Sequence, residues 1–264
     1  MKNVLVTGAA GGMGRAACEL LAKSGFRVWG LDRAEPQGEC AWHFVRADIT
    51  DAASVEAARD AVSAEAGSLY AVVHLAGVYD LNSLVEMPEE DWDRVFGVNL
   101  SGPYRVNHAF VPLLAEGSRI VLVSSELAPL DQLPFTGIYG ITKAALEKYA
   151  FSLRMELQLL GIGVSVVRPG AVDTQLLDVS MQRLDEFHAN TKLYACNAAR
   201  FRSIAERVES RKVTPESVAR VVLKALQARR PRYVYNINRN PLLLLFNALP
   251  DRLQTAIIRM VLKP

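Results

Sequence analysis

Tyr139 and Lys143 stand four residues apart at the start of a long helical periodicity running from Tyr139 to Leu160, so a helix projects both side chains from one face. Alone, such a pair makes only a solvated face. A phenol of ordinary pKa, about 10, is a poor base at neutral pH. A cation about 4 Å away favours the phenolate by about 4 kcal/mol at an effective dielectric of about 20, equivalent to about 3 pK units. So assisted, Tyr139 takes a proton from an alcohol as hydride leaves, or gives one to a carbonyl as hydride arrives. Ser125 follows the apolar run Arg119 to Val123 and offers a hydroxyl to hold a substrate oxygen where charge changes. Asn99, inside a helical stretch over about 89–115, completes a polar set drawn from distant parts of the chain.

A second constellation opens the chain. The strand pattern Val4-Leu5-Val6 runs into Thr7-Gly8-Ala9-Ala10-Gly11-Gly12-Met13-Gly14, and Ala16, Ala17, Leu20 and Leu21 follow at the spacing of a helix's core face. Glycines 8, 12 and 14 remove Cβ atoms where the chain turns from strand to helix, and the free N–H groups of the helix start favour an anion such as a pyrophosphate. Such a turn also serves simply to pack a helix tightly on a sheet. The next strand pattern, Arg27 to Leu31, ends in Asp32, 18 residues beyond Gly14 and near the spacing of a ribose-binding acid. A carboxylate there accepts both ribose hydroxyls but repels a 2′-phosphate about 5 Å away by about 3 kcal/mol per charge. NAD is therefore expected over NADP, although Arg33 either pairs with such a phosphate or points to solvent.

Strand and helix patterns keep alternating. Trp42 to Val45 is a strand closed near Asp48, which reads as a turn or helix-capping residue before the helix near Asp51; Ala71 to Leu75 is a strand closed by the small pair Ala76-Gly77. This rhythm predicts an α/β fold, a single-domain doubly wound parallel sheet with helices on both faces and ligands beyond the carboxyl ends of its strands. A chain of 264 residues, half of them apolar, can bury such a core. The net charge of +2 shows no basic block suited to nucleic acid, and a small ligand is expected instead. Cys18, Cys40 and Cys196 have neither disulfide nor metal spacing and read as reduced thiols; no metal site is expected. The early start of the first strand leaves no room for a signal segment, no run reaches the length of a spanning helix, and a cytoplasmic protein is expected.

Together these residues resemble a classical short-chain dehydrogenase/reductase. Thr7 to Gly14 matches that family's Thr-Gly-x-x-x-Gly-x-Gly, Tyr139 and Lys143 its Tyr-x-x-x-Lys, and Ser125 with Asn99 the rest of its catalytic tetrad. Pro169-Gly170-Ala171-Val172-Asp173-Thr174 is similar to the segment that reads the nicotinamide carboxamide, with Thr174 the contact. The resemblance spans residues 1 to about 235. It implies a Rossmann fold, an adenine contact at Asp48 and Ile49, nicotinamide-ribose binding by Lys143, and a water held by Asn99 for proton relay. It further implies a homodimer or homotetramer assembled through the helices bearing Asn99 and Tyr139.

Two departures stand out. The family's Asn-Asn-Ala-Gly appears as His74-Leu75-Ala76-Gly77, where His74 either substitutes in part for the missing side chain or is a core histidine. Fourteen positions separate Ser125 from Tyr139 where thirteen are usual, so counting alone places Glu126 at the serine's site; Ser125 is assigned because Ser124-Ser125 ends the strand.

The catalytic domain is read as 1–238, with a less regular substrate lid over about 175–212 and a helix from Pro215 to Arg229 capped by Thr214. Residues 239–264 form an apolar extension: Leu253, Ala256, Ile257, Met260 and Val261 share a helical face opposite Arg252, Arg259 and Lys263. This face suits a lid or oligomer contact, with peripheral membrane contact as the alternative. The extension is similar to those of short-chain enzymes acting on steroids and retinoids. The expected activity is interconversion of a secondary alcohol and a ketone on a lipophilic small molecule, hydroxysteroids first, then retinoids or aryl alcohols. A non-catalytic dinucleotide sensor is the alternative of another class; a sugar-nucleotide epimerase or dehydratase is disfavoured by the short chain and the glycine spacing.

Overall fold

The computed structural model describes residues 1–208 and 211–263. Its strands are β1 (Lys2–Thr7), β2 (Phe26–Asp32), β3 (His43–Arg46), β4 (Leu69–His74), β5 (Leu114–Val123), β6 (Gly163–Pro169) and β7 (Val234–Ile237). They form one parallel sheet in the order β3-β2-β1-β4-β5-β6-β7. Parallel strands need helical crossovers on both faces, which is why Val4, Leu5 and Val6 of β1 are consecutive apolar residues and all fully buried. The crossovers are α1 (Gly12–Lys23), α2 (Ala52–Ala66), α3 (Glu89–Phe96), α4 (Gly102–Phe110), α5 (Gly137–Leu157) and α8 (Pro215–Gln227). Helices α1 and α8 cover one face through Leu21, Val218 and Val222, and α2, α4 and α5 cover the other through Val62, Phe110 and Leu146. Strand order reverses between β1 and β4, where the carboxyl ends diverge and ligands of such sheets bind.

Three stretches differ from expectation. The 89–115 helix is two helices joined by a π-helical turn, Gly97–Ser101, which carries Asn99. Residues 175–208 are more regular than their composition suggests: α6 (Gln175–Asn190) and α7 (Ala195–Val208) pack Leu184, Phe187 and Phe201 around Phe135, while residues 209–210 of the expected lid lie outside the described residues. Thr214 occupies the position before α8, yet its hydroxyl meets Ser217 Oγ at 3.4 Å and makes no bond to a helix N–H.

The C-terminal extension is α9 (Pro241–Asn247) and α10 (Asp251–Leu262). Ile258 and Leu262 join the cluster formed by α6 and α7, and Asn197 Nδ2 donates to the Leu262 carbonyl at 2.7 Å. Among the described residues no helix is long and apolar enough to cross a membrane.

Candidate active site

The first turn is built from glycines with different tasks. Gly8 has φ +73°, and a Cβ there would lie 2.6 Å from the Ala76 nitrogen, so its bareness lets the turn after β1 rest on the turn after β4. Gly14 packs α1 onto that same turn, since its Cβ would fall 1.9 Å from the Gly8 oxygen. Gly12 instead faces Thr174, whose methyl would stand 2.9 Å from an added Cβ. The turn and the Pro169–Thr174 segment thus meet across a narrow mouth, with Met13 on the cleft wall beside them.

Asp32 ends β2 next to this turn. Its two oxygens accept the N–H groups of Ala10 and Ala34, each at 3.0 Å. Arg33 is exposed. The Asp48 carboxylate is held below its ordinary pKa by the Thr50 hydroxyl and N–H, at 2.7 and 2.8 Å, with Arg33 and Arg105 adding to the effect. Asp51, not Asp48, caps α2 through the N–H of Ala53. The Ile49 side chain is buried against Gly102.

Asn99 is fully buried, and its side chain bonds both backbone groups of Val78 at 2.9 Å and the hydroxyl of Thr142 at 3.1 Å. Lys143 Nζ donates to the Val123 carbonyl at 3.2 Å, and burial pushes its pKa down to about 8. Gly77 leaves room between Asn99 and Lys143: a Cβ there would lie 3.4 Å from both polar heads. Ser125, which accepts the Leu127 N–H at 3.2 Å, interacts through its hydroxyl with the Tyr139 phenol. The four distant side chains therefore surround one corner of the fold, at the ends of β4 and β5. The Ser125 hydroxyl meets the Tyr139 phenol, and the Glu126 carboxylate lies near enough to act on it by charge.

The electrostatics correct one expectation. Burial, with the nearby Glu126 carboxylate and against the Ser125 bond that lowers it, pushes the Tyr139 phenol up to about 12. Lys143 lies 5.6 Å from the phenol ring centroid, and its main-chain bond to Val123 directs its charge toward β5. In this geometry desolvation dominates, and the phenol is a proton donor at neutral pH.

These residues floor a partly open cleft with a cavity volume of about 120 Å³. Gly77, Pro169, Gly170, Val172 and Thr174 line it together with Tyr79, Leu127, Leu176, Leu177 and Leu243. Ala76 packs against Gly8. Sequence reasoning did not single out Tyr79, whose ring centroid is 4.4 Å from that of Tyr139, Thr142, or Leu243. Thr142 sits one residue before Lys143 on α5, but its bond to Asn99 crosses between helices, and Tyr79 and Leu243 come from loop and tail paths that no local pattern specifies. His74 is a core histidine: it bonds Asn107 at 2.9 Å, and burial holds its pKa near 4. Thr7 Oγ1, accepting the Ala76 N–H at 3.3 Å, steadies the turn instead.

Comparison with known proteins assigns the class. The family model described as short chain dehydrogenase matches residues 2–185, so the chain belongs to the short-chain dehydrogenase family and is an oxidoreductase of an NAD(P)-using fold. It is 32% identical over 201 residues to 2,3-dihydro-2,3-dihydroxybenzoate dehydrogenase of Escherichia coli K12, covering 73% of this chain and 81% of that protein. It is 31% identical over 184 residues to the 3-oxoacyl-[acyl-carrier-protein] reductase FabG of the same strain, covering 66% and 75%. A short-chain dehydrogenase/reductase from Burkholderia phymatum, solved in complex with NAD, superimposes with a TM-score of 0.77 at 26% identity, over 98% of this chain and 94% of that one.

Proposed function

We propose that the protein interconverts a secondary alcohol and a ketone on a bulky apolar substrate, with NAD favoured over NADP and hydroxysteroids as the first substrate class, ahead of retinoids and aryl alcohols. The observation that carries this reading is the junction of the Ser125 hydroxyl and the Tyr139 phenol at the floor of a cleft walled by Leu127, Leu176, Leu177 and Leu243. The mouth between Gly12 and Thr174, which a single Cβ would fill, fits a dinucleotide laid against bare backbone. Gly8, Gly12, Met13, Gly14, Asp32, Arg33, Asp48, Ile49, Ala76, Gly77, Asn99, Tyr139, Lys143, Pro169, Gly170, Val172 and Thr174 are the residues assigned to hold it. When bound, its nicotinamide supplies or accepts the hydride.

The protein's own contribution is proton handling and orientation. Ser125 holds the substrate oxygen, and Tyr139 donates its phenolic proton to that oxygen in reduction or receives one from it in oxidation. Lys143, with a pKa of about 8, is mostly cationic at neutral pH and lies close enough to favour charge building on the phenol. Asn99 fixes the Val78 backbone and, through Thr142, the helix carrying Tyr139 and Lys143.

NAD is supported by the Asp32 carboxylate beside the glycine turn, which opposes a 2′-phosphate, and by the NAD complex of the Burkholderia protein. The Escherichia coli relatives, by their names, act on a dihydroxylated ring and on a 3-oxoacyl group. A homodimer or homotetramer is supported by the exposed Tyr104, Phe151 and Met155 on α4 and α5. The packing of α10 on α7 supports a lid role for the tail over a membrane role.

The test is nicotinamide absorbance with a panel of ketosteroids, aryl ketones and small ketones. Turnover should be greatest for the bulky members, with kcat/KM about 100-fold lower for acetone, as expected from losing several buried methylenes. Dinucleotide binding without turnover of any member would favour the sensor instead.

A further inference from the structure

Glu126 is an acid where the cleft has little use for one. It follows Ser125 directly, is 8% exposed, and touches the proton chemistry only through its charge, which raises the Tyr139 phenol. Its Oε2 accepts the backbone N–H of Asn240 at 2.6 Å, across 114 residues of sequence. Asn240 is the residue before α9, and its own side chain caps that helix by accepting the Leu242 N–H at 2.9 Å. One turn further, Leu243 lines the cleft, while Leu242 and Leu245 on the same short helix are 72% and 67% exposed. Burying a carboxylate is costly, and a charge-assisted bond to a main-chain donor is among the stronger ways to offset that cost.

The strap leading to Asn240 is fitted closely to the same corner. Gly170 donates to the Ile237 carbonyl at 2.8 Å, and a Cβ on Gly170 would meet the Asn238 oxygen at 2.2 Å and Glu126 Oε1 at 2.9 Å. Asn238 takes a left-handed φ of 52° and donates to the carbonyls of Ala171 and Arg211. Apart from Glu126, these ties all end before Asn240; at the far end of α9, Asn247 Nδ2 donates to the Asp131 carbonyl at 3.5 Å. Helix α9 has seven residues, too few to be stable alone, and none of them is buried.

We propose that Glu126 is a positioning residue: its carboxylate latches the start of α9 to the end of β5, seats Leu243 as a wall of the substrate cleft, and thereby sets the preference for bulky apolar substrates. The wall role rests on the alcohol/ketone reading; the latch does not. A substrate that fits this wall is read by the tail through a bond made one residue from Ser125.

Hydrogen exchange on the full chain tests the latch without any substrate. In Glu126→Ala the amides of Asn240 and Leu242–Phe246 should exchange about tenfold faster or more, the loss expected of one charge-assisted bond, while those of β5 and α5 keep their protection. Glu126→Gln, which keeps an acceptor oxygen, should restore most of it. Asn240→Pro removes the donor at a φ of −78° that proline accepts and the side-chain cap with it, while Asn240→Ala removes the cap alone; should Glu126→Ala fold poorly, the proline variant should speed exchange at Leu242–Phe246 well beyond the alanine variant. Unchanged exchange in the folded variants overturns the latch. For the wall, Glu126→Ala and Leu243→Ala should each raise KM for the bulky substrate about tenfold with a much smaller change in kcat, and only the former should free α9. Equal effects on KM for bulky and small substrates would overturn it. Absence of turnover in the unmodified protein would reject the alcohol/ketone reading and leave the exchange result standing.

Discussion

The Asn99 side chain brackets Val78, accepting its N–H at Oδ1 and donating through Nδ2 to its carbonyl, both at 2.9 Å. A side chain on a π-helical turn thus replaces the strand partner that the Val78 backbone loses where β4 ends. Replacing Asn99 with Leu leaves both groups, and the Thr142 hydroxyl, short of a partner. Urea unfolding should show a loss of about 2–4 kcal/mol, and kcat should fall as the turn beside Lys143 loosens. Stability within about 0.5 kcal/mol of the parent would contradict this role.

The glycines of the first turn should separate by what they touch. At Gly14 an added Cβ meets backbone, the Gly8 carbonyl at 1.9 Å, so Gly14→Ala should cost more than about 3 kcal/mol in unfolding experiments. At Gly12 it meets the end of a side chain, Thr174, at 2.9 Å. Gly12→Ala should fold nearly as well as the parent yet bind NAD about tenfold more weakly in a fluorescence titration, because the mouth is narrowed.

Lys143 is held for function against stability. Burial lowers its pKa from 10.5 to about 8, so the folded state binds the proton less readily than the unfolded chain. The sign follows from linkage: the penalty, about 3 kcal/mol, is complete below pH 8 and fades as pH rises from 8 to 10.5. Lys143→Met should therefore raise Tm by several degrees at neutral pH, less whatever the lost bond to the Val123 carbonyl costs. The gain should vanish near pH 10.5. Thermal unfolding of both proteins across this range checks it, with turnover abolished throughout.

Much of this arrangement is legible in the residues themselves. Runs such as Val4-Leu5-Val6 are apolar on both faces and announce a parallel sheet, and the glycine turn, Ser125 and the Tyr139–Lys143 pair sit where such a sheet opens. What local pattern could not supply is distance. Spacing places Tyr139 and Lys143 on one helical face, but the 5.6 Å between ammonium and ring, and the desolvation that lifts the phenol, depend on what surrounds them. The π-helical turn at Asn99 is invisible because the apolar periodicity runs through it; Val78, 21 residues earlier, is what holds it. Residues 175–212 look irregular because their apolar side chains answer to Phe135 and Ile258 rather than to one flat sheet. Glu126 was visible only as a miscount, and its partner lies in the tail.

The central claim is that the Tyr139 phenol moves the proton beside Ser125. Tyr139→Phe removes one oxygen and keeps the ring packing on Tyr79. The decisive measurement is single-turnover nicotinamide absorbance in parent and variant with the best ketone of the panel, alongside NAD titration of both. The account predicts a fall of about 1000-fold or more in the chemical step, of the order of a lost general acid, with NAD affinity changed less than about threefold. A variant that turns over at the parental rate would contradict it.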